Sequence, residues 1–175
     1  FVAEMGAYRQ GDITEIAQVV QPSVGIITSL GYEHLSLFGT IESAIEAEFE
    51  LASALPSSGI LIVNWDNQYI QDKLQATSYK LKIVRYSCKD TTADVYAQHI
   101  TQTPEELSFD VYYKKQHAHL SLALLGKHNV SNMLAATAGA LLMGMKLNDI
   151  AKAALTIEPL ARTMRLRRGI NNLVI

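Results

Sequence analysis

Cysteine is almost absent: Cys88 is the only one in 175 residues. A single thiol makes neither an internal disulfide nor a cysteine metal cluster, so the expected compartment is a reducing one, the cytoplasm. Charge of one sign is missing as well. Fifteen Lys and Arg against seventeen Asp and Glu leave a formal net charge of −2. The basic residues are scattered apart from the short run Arg162 to Arg168, which gives no footprint for a phosphate backbone and argues against nucleic acid as a partner. The longest apolar stretches, Leu120 to Leu125 and Met133 to Met145, are too short or too interrupted to cross roughly 30 Å of hydrocarbon, so no membrane partner is expected. Internal repeats and low-complexity segments are lacking. So is a G-x-x-x-x-G-K-[ST] phosphate loop, because Gly126-Lys127 has neither the upstream glycine nor a following Ser or Thr. What remains, 49% hydrophobic and 18% charged side chains, suits a compact soluble domain with a real core.

The chain opens on Phe1-Val2-Ala3 with no initiator Met, basic n-region or signal-type apolar stretch. It closes on Asn172-Leu173-Val174-Ile175, which reads as a strand begun and cut off. The expectation is a piece of a longer protein.

Along the chain, Phe1 to Met5 reads as a short buried strand, followed by a loop from Gly6 to Gly11 and a helix from Asp12, as N-cap, to Val20. Val24 to Leu30 is a second strand, and Thr40 to Leu55 an amphipathic helix. Gly59 to Asn64 (strand), Asp66 to Thr77 (helix) and Leu81 to Tyr86 (strand) complete an alternation typical of a parallel α/β sheet. From Asp94 to Leu125 the pattern changes to three alternating segments separated by turns at Thr103-Pro104-Glu105 and Lys114-Lys115-Gln116, an antiparallel β-meander. Helices return at His128 to Met143 and Leu147 to Leu155, ahead of Pro159 and a final pair of strands. The fold class is α/β: a mostly parallel sheet flanked by helices, with a small antiparallel meander.

Several residues stand out chemically. Glu4 lies at the carboxyl end of the first strand, where open α/β sheets place ligands, although an acid there is often merely solvated. His34 follows the second strand in the equivalent position, so both could converge on one crevice. His99, His117 and His119 fall in the meander and are expected to face solvent. On the helix from Thr40 to Leu55, Ile41, Ala44, Ile45, Leu51, Ala52 and Leu55 form one apolar stripe. Glu48 sits in the middle of it, while Glu42, Glu46, Glu50 and Ser53 occupy the opposite, solvated face. A carboxylate among apolar neighbours costs several kcal/mol unless paired, hydrogen-bonded or metal-bound; the alternative is that Glu48 escapes to water at the sheet edge. Finally, Asn129, Asn132, Ala136 and Ala140 share one helix face, which suits amide hydrogen bonding to a polar ring, whereas N-capping accounts for Asn129 alone.

Three blocks occur in order: Glu4-Met5-Gly6-Ala7 with Gly11-Asp12-Ile13; Ile27-Thr28-Ser29-Leu30-Gly31 running into Glu33-His34-Leu35 and Phe38-Gly39; and Gly126-Lys127-His128-Asn129-Val130-Ser131-Asn132 with Ala135-Ala136. Together they resemble the central domain of the Mur ligases over essentially the whole chain. The E-M-G-A-x-x-x-G-D-I segment and the Glu33-His34-Leu35 to Gly39 spacing resemble the branch that adds D-alanyl-D-alanine to a UDP-N-acetylmuramoyl-tripeptide.

The resemblance implies an ATP-dependent ligase of three domains. In that scheme residues 1–160 are the central ATPase domain without its phosphate-loop segment. Residues 161–175 begin the linker to the C-terminal domain, and the N- and C-terminal domains of the same protein are missing partners. It also implies ATP and Mg²⁺ as cofactors, with a UDP-sugar peptide and an amino acid or dipeptide as substrates. By resemblance Glu4 and His34 are magnesium ligands, and His128, Asn129 and Asn132 lie beside the adenine. Two departures from the family pattern concern catalysis. Glu48 stands where the family carries a carbamylated lysine, with no lysine between Phe38 and Lys73, and Arg162 stands one place upstream of the family's arginine, with Arg165 as the other nearby choice. The same departures fit a catalytically silent Mur-like module that binds nucleotide or a partner enzyme. A folylpolyglutamate-synthase-like ligase is a further alternative.

Overall fold

The computed structural model describes residues 1–31 and 38–159. Two compact units divide the chain, Phe1–Arg85 and Tyr86–Ile175.

In the first unit, helix α1 (Asp12–Val20) precedes strand β1 (Val24–Ile27), helix α2 (Ile41–Ala54), strand β2 (Ile60–Asn64), helix α3 (Gln68–Ala76) and strand β3 (Lys82–Ser87, which runs past the division). β1 and β2 are parallel, with Val24 opposite Ile60 and Ile27 opposite Val63. Leu61, Ile62 and Val63 in β2 are fully buried in succession, as expected for a parallel strand covered on both faces. Side-chain caps set the starts of two helices. Thr40 Oγ1 accepts from Ser43 N–H at 3.1 Å, and Asn67 Oδ1 accepts from Ile70 N–H at 3.3 Å, each satisfying a donor that the first helical turn leaves over.

Helix α2 lies close against β1. A Cβ added at Gly25 would meet Leu51 Cγ at 3.0 Å and Leu55 Cδ1 at 3.2 Å, so glycine is what lets the helix sit directly on the strand. The single stripe expected on this helix is in fact two faces. Phe49 and Ala52 pack into a cluster with Ile27, Leu61, Val63 and Ile70, while Ala47 packs on the other side against Ala7 and Ile13. Periodicity predicts one buried arc; a helix held between a strand and a second helix needs a wider one.

The expected strand at Phe1–Met5 is not formed. The segment is irregular, and Phe1 and Val2 are fully exposed. An apolar run becomes a strand only when a neighbour completes its ladder, and among the described residues none pairs with it. Asp12 is likewise the first residue of α1 rather than its cap; Gly11, at φ 97°, occupies the cap position, a left-handed conformation that glycine adopts without strain.

In the second unit, β4 (Val95–Gln102), β5 (Leu107–Tyr113) and β6 (Gln116–Leu122) form the antiparallel meander. The end of β3 joins it in parallel, with Tyr86 opposite Val95. Val95, Ala97, Phe109, Val111, Ala118 and Leu120 are buried. Helix α4 (His128–Leu142) lies against β4 and β5, and helix α5 (Leu147–Ala154) against β6. The strands expected after Pro159 lie outside the described residues.

The other meander face is patterned row by row. Tyr96, Tyr112 and His117 stack in register, with ring centroids 5.0 and 5.5 Å apart. In the next row the Asp110 carboxylate lies between two imidazoles: His99 Nδ1 is 2.8 Å from Oδ2 and His119 Nδ1 is 2.8 Å from Oδ1. His99 has φ 54°, where the β4–β5 register shifts. The histidines are exposed, as expected, but two of them share one carboxylate across three strands. Hydrogen bonds from His119 and then His99 hold the Asp110 carboxyl below its ordinary value of 3.8. A carboxyl with a depressed folded pKa contributes stability that is present above the unfolded value and lost as pH falls through the folded one. Asp110→Asn should therefore be less stable than the parent at neutral pH, with the gap closing below about pH 4. Urea melts from pH 7 down to pH 3 would check this, and a gap that persists unchanged at the acid end contradicts it.

Candidate functional site

The loop carrying Glu4 is pinned from below and from the side. Met5 and Phe38 pack against the cluster of Ala7, Ile13 and Ala47, whereas Glu4 and Gly6 are exposed. The Asp12 carboxylate turns back to accept the N–H of Tyr8 at 3.0 Å and of Arg9 at 3.1 Å, and Arg9 Nε donates to it at 2.8 Å. The Arg9 hydrogen bond, followed by that from Tyr8, lowers the Asp12 pKa from its ordinary value.

Where β1 ends, side-chain amides take over the hydrogen bonding. Asn64 Nδ2 donates to the carbonyl of Thr28 at 2.9 Å, and Asn67 Nδ2 to the carbonyl of Leu30 at 2.7 Å. Beside this seam lies a narrow crevice of about 60 Å³, formed by Ser29, Leu30 and Gly31 after β1, by Phe38, and by Ile41, Ala44, Ile45 and Glu48 of α2. It sits at the carboxyl end of a parallel strand, the usual ligand position in such sheets. Glu48 is half-buried in its wall, neither sealed in the core nor out on the solvated face. Phe38 belongs both to this crevice and to the cluster beneath the Glu4 loop.

Two other glutamates of α2 find partners on neighbouring helices, Glu46 from the exposed face expected for it and Glu50 from a half-buried position. Glu46 pairs with Lys73 of α3. Glu50 is half-buried and accepts three hydrogen bonds from the start of α1: Gly11 N–H at 2.6 Å, Thr14 N–H at 3.0 Å and Thr14 Oγ1 at 2.9 Å. Helical phase gives the direction of a side chain but not what packs there, so nothing in the sequence distinguished Glu50 from Glu42. Asn64 and Asn67 were likewise missed, although Asn67 precedes a helix and so carried a capping signal.

In the second unit, His128 opens α4 and is exposed, as is Asn132, while Asn129 is half-buried. Asn129 does not cap the helix; Lys127 occupies the cap position without a side-chain bond. Instead Asn129 Nδ2 donates to the carbonyl of Leu125 at 2.8 Å, and Asn132 Nδ2 donates to Asn129 Oδ1 at 3.2 Å. The two amides are thus joined, and Asn132 and Ala136 of the small-residue face point outward. A wider cleft of about 700 Å³ in this unit, lined by residues such as His117, Lys146 and Lys152, contains none of these positions. His34 and Arg162, with Arg165, lie outside the described residues.

Among the described residues, no group of three or more His, Cys, Asp or Glu is placed to hold a metal ion. Glu4 and Glu48 nevertheless offer carboxylate oxygens. Magnesium takes such donors and commonly keeps several waters, relying on one or two carboxylates and on substrate phosphates rather than on a full protein cage. The donors fit that ion in kind.

The sequence matches the Mur ligase middle domain over residues 1–140. The chain belongs to this family. The Mur ligase middle domain seen here is 31% identical over 164 residues to the UDP-N-acetylmuramoyl-tripeptide--D-alanyl-D-alanine ligase of Mycobacterium tuberculosis strain H37Rv, covering 92% of this chain and 31% of that protein. It is 33% identical over 156 residues to the enzyme of the same name from Escherichia coli strain K12, covering 88% and 34%. A crystal structure of MurF from Acinetobacter baumannii superposes with a TM-score of 0.85 at 26% identity, covering 95% of this chain and 36% of that one. The chain therefore spans about a third of the length of these relatives. The mixed sheet flanked by helices is the Mur ligase central architecture, as expected from the sequence. Among the described residues no helix is long and apolar enough to cross a membrane.

Proposed function

We propose that this chain is the central, nucleotide-handling part of an ATP-dependent ligase. The enzyme joins an amino acid or dipeptide to a UDP-N-acetylmuramoyl-peptide during peptidoglycan precursor synthesis in the cytoplasm. The match to the Mur ligase middle domain carries this reading, and the names of the relatives supply the substrate class. In this reading residues 1–160 form the central domain and 161–175 begin the connection to a C-terminal domain.

The reaction has two steps. The terminal carboxylate of the UDP-linked peptide attacks the γ-phosphorus of ATP, giving an acyl phosphate and ADP. The incoming amine then attacks the acyl carbon, phosphate leaves, and the amine gives up a proton as the amide forms. Little covalent work falls to the protein, which acts by positioning and by charge neutralisation. Magnesium, when bound, would supply positive charge to the phosphates. Glu4 and His34 are the residues proposed to hold it. Glu48 provides a fixed anion where the family uses carbamylated lysine; its shorter side chain acts through water. Asn129 and Asn132 would meet the polar edge of the adenine, with His128 beside them, and Arg162 would supply positive charge to the transferred phosphoryl group.

The test is ADP release by the full-length protein that contains this chain. We expect sustained, multiple-turnover ADP release only when a UDP-N-acetylmuramoyl-peptide and an amine substrate are both present. No turnover with any such pair favours the silent nucleotide- or partner-binding module, for which Glu48 in place of lysine is the specific observation. Turnover with a folate and glutamate instead moves the chain to the folylpolyglutamate-synthase-like reading.

A further inference from the structure

The start of α1 is completed from another helix. A helix leaves its first N–H groups without internal acceptors, and Gly11 in the cap position has no side chain to offer. Glu50, 36 residues beyond Thr14 in sequence, fills the gap. One carboxylate oxygen accepts Gly11 N–H, and the other accepts both Thr14 N–H and the Thr14 hydroxyl. Bonds to an ionised acceptor are the stronger kind, and the positive end of the α1 dipole adds to them.

The consequence lies in what this contact joins. Asp12 closes the loop from Tyr8 to Asp12 on itself, but that bond alone ties it to nothing else. Glu50 fastens it to α2, and Ala7 and Ile13 lie on Ala47 of the same helix. Two residues before Glu50, the rigid helix sends Glu48 into the crevice. We infer that Glu50 is a positioning residue for the ligase reaction: by bonding the start of α1 from α2, it sets where Glu4 stands relative to Glu48. This inference rests on the proposed function and names a residue which that reading does not use.

The test uses the full-length protein carrying Glu50→Gln. Gln keeps the size but replaces one acceptor oxygen with an N–H₂ group that faces donors. The comparison is a variant brought to the same Tm by a core change in the second unit, such as Ile150→Val or Ile150→Ala. Relative to it, Glu50→Gln should lower kcat about tenfold with KM for the UDP-peptide within twofold. It should also weaken Mn²⁺ binding in the presence of an ATP analogue by about tenfold, read by spin resonance without turnover. Amide exchange at Gly11 and Thr14 should quicken while the middle of α2 stays protected. If exchange quickens but kcat and Mn²⁺ affinity equal those of the Tm-matched control, Glu50 is only a helix cap and the inference falls. A wild-type protein inactive with every substrate pair overturns the ligase reading instead, a result visible before any variant is made.

Discussion

Replacing Asn132 with Ala in the full-length protein should weaken ATP binding by about 1 to 3 kcal/mol, which is roughly five- to 150-fold in Kd. The size is the cost of removing one partner of a buried polar contact, which is what the adenine contact proposed for Asn132 would be. The fold should not suffer. Asn132 is exposed within α4, and Ala is the better helix former by a few tenths of a kcal/mol. Its bond to Asn129 Oδ1 is also lost, so part of the effect arises through Asn129, whose amide stays anchored on the Leu125 carbonyl. A double cycle with Asn129→Ala apportions the two contributions. Calorimetric titration showing unchanged affinity, with an unaltered Tm, would leave Asn132 a surface residue and remove the adenine assignment.

Glu48→Gln should raise the Mg²⁺ concentration for half-maximal ATP turnover by about tenfold, the effect of losing one charge near a partly hydrated cation. Gln has nearly the same shape, and Glu48 is only half-buried in the crevice wall, so Tm should hold within about two degrees of the parent. Glu48→Lys offers the complementary experiment. With bicarbonate supplied, carbamylation would return the anion in the family's own form, and turnover should rise over the bicarbonate-free reaction. A Mg²⁺ dependence untouched by Glu48→Gln defeats the assignment, because that substitution removes the charge and one acceptor oxygen while keeping the shape.

The order of elements could be read from residue pattern because it rests on local physics. Thr40 opened the amphipathic helix, the alternation from Asp94 to Leu125 marked a meander, and the run Gly59 to Asn64 marked a strand. Phe1 to Met5 failed because a strand is defined by its partner, which sequence periodicity does not contain. Glu50 failed for a related reason. Its phase on α2 was correct, but the space at that phase is taken by α1, a contact between segments some 36 residues apart. Glu48 was legible as an anomaly, though not as a crevice wall, since the opening is made partly by the chain after β1. The Asn129–Asn132 pair was visible as a shared face; that the two amides bond each other depends on rotamers that spacing does not specify. The His99–Asp110–His119 row needed strand register, which the turn positions only approximate.

The seam made by Asn64 and Asn67 has a consequence for how the crevice responds to solution conditions. Both bonds run from neutral carboxamides to backbone carbonyls, and neither partner gains or loses a proton in water at any ordinary acidity. Neither is a charge pair that added electrolyte would screen. The joint between the exit of β1 and the exit of β2 is therefore indifferent to both acidity and salt, unlike the carboxylates mounted beside it. Acid, alkali and brine act on the occupants of this framework and leave its mortar alone.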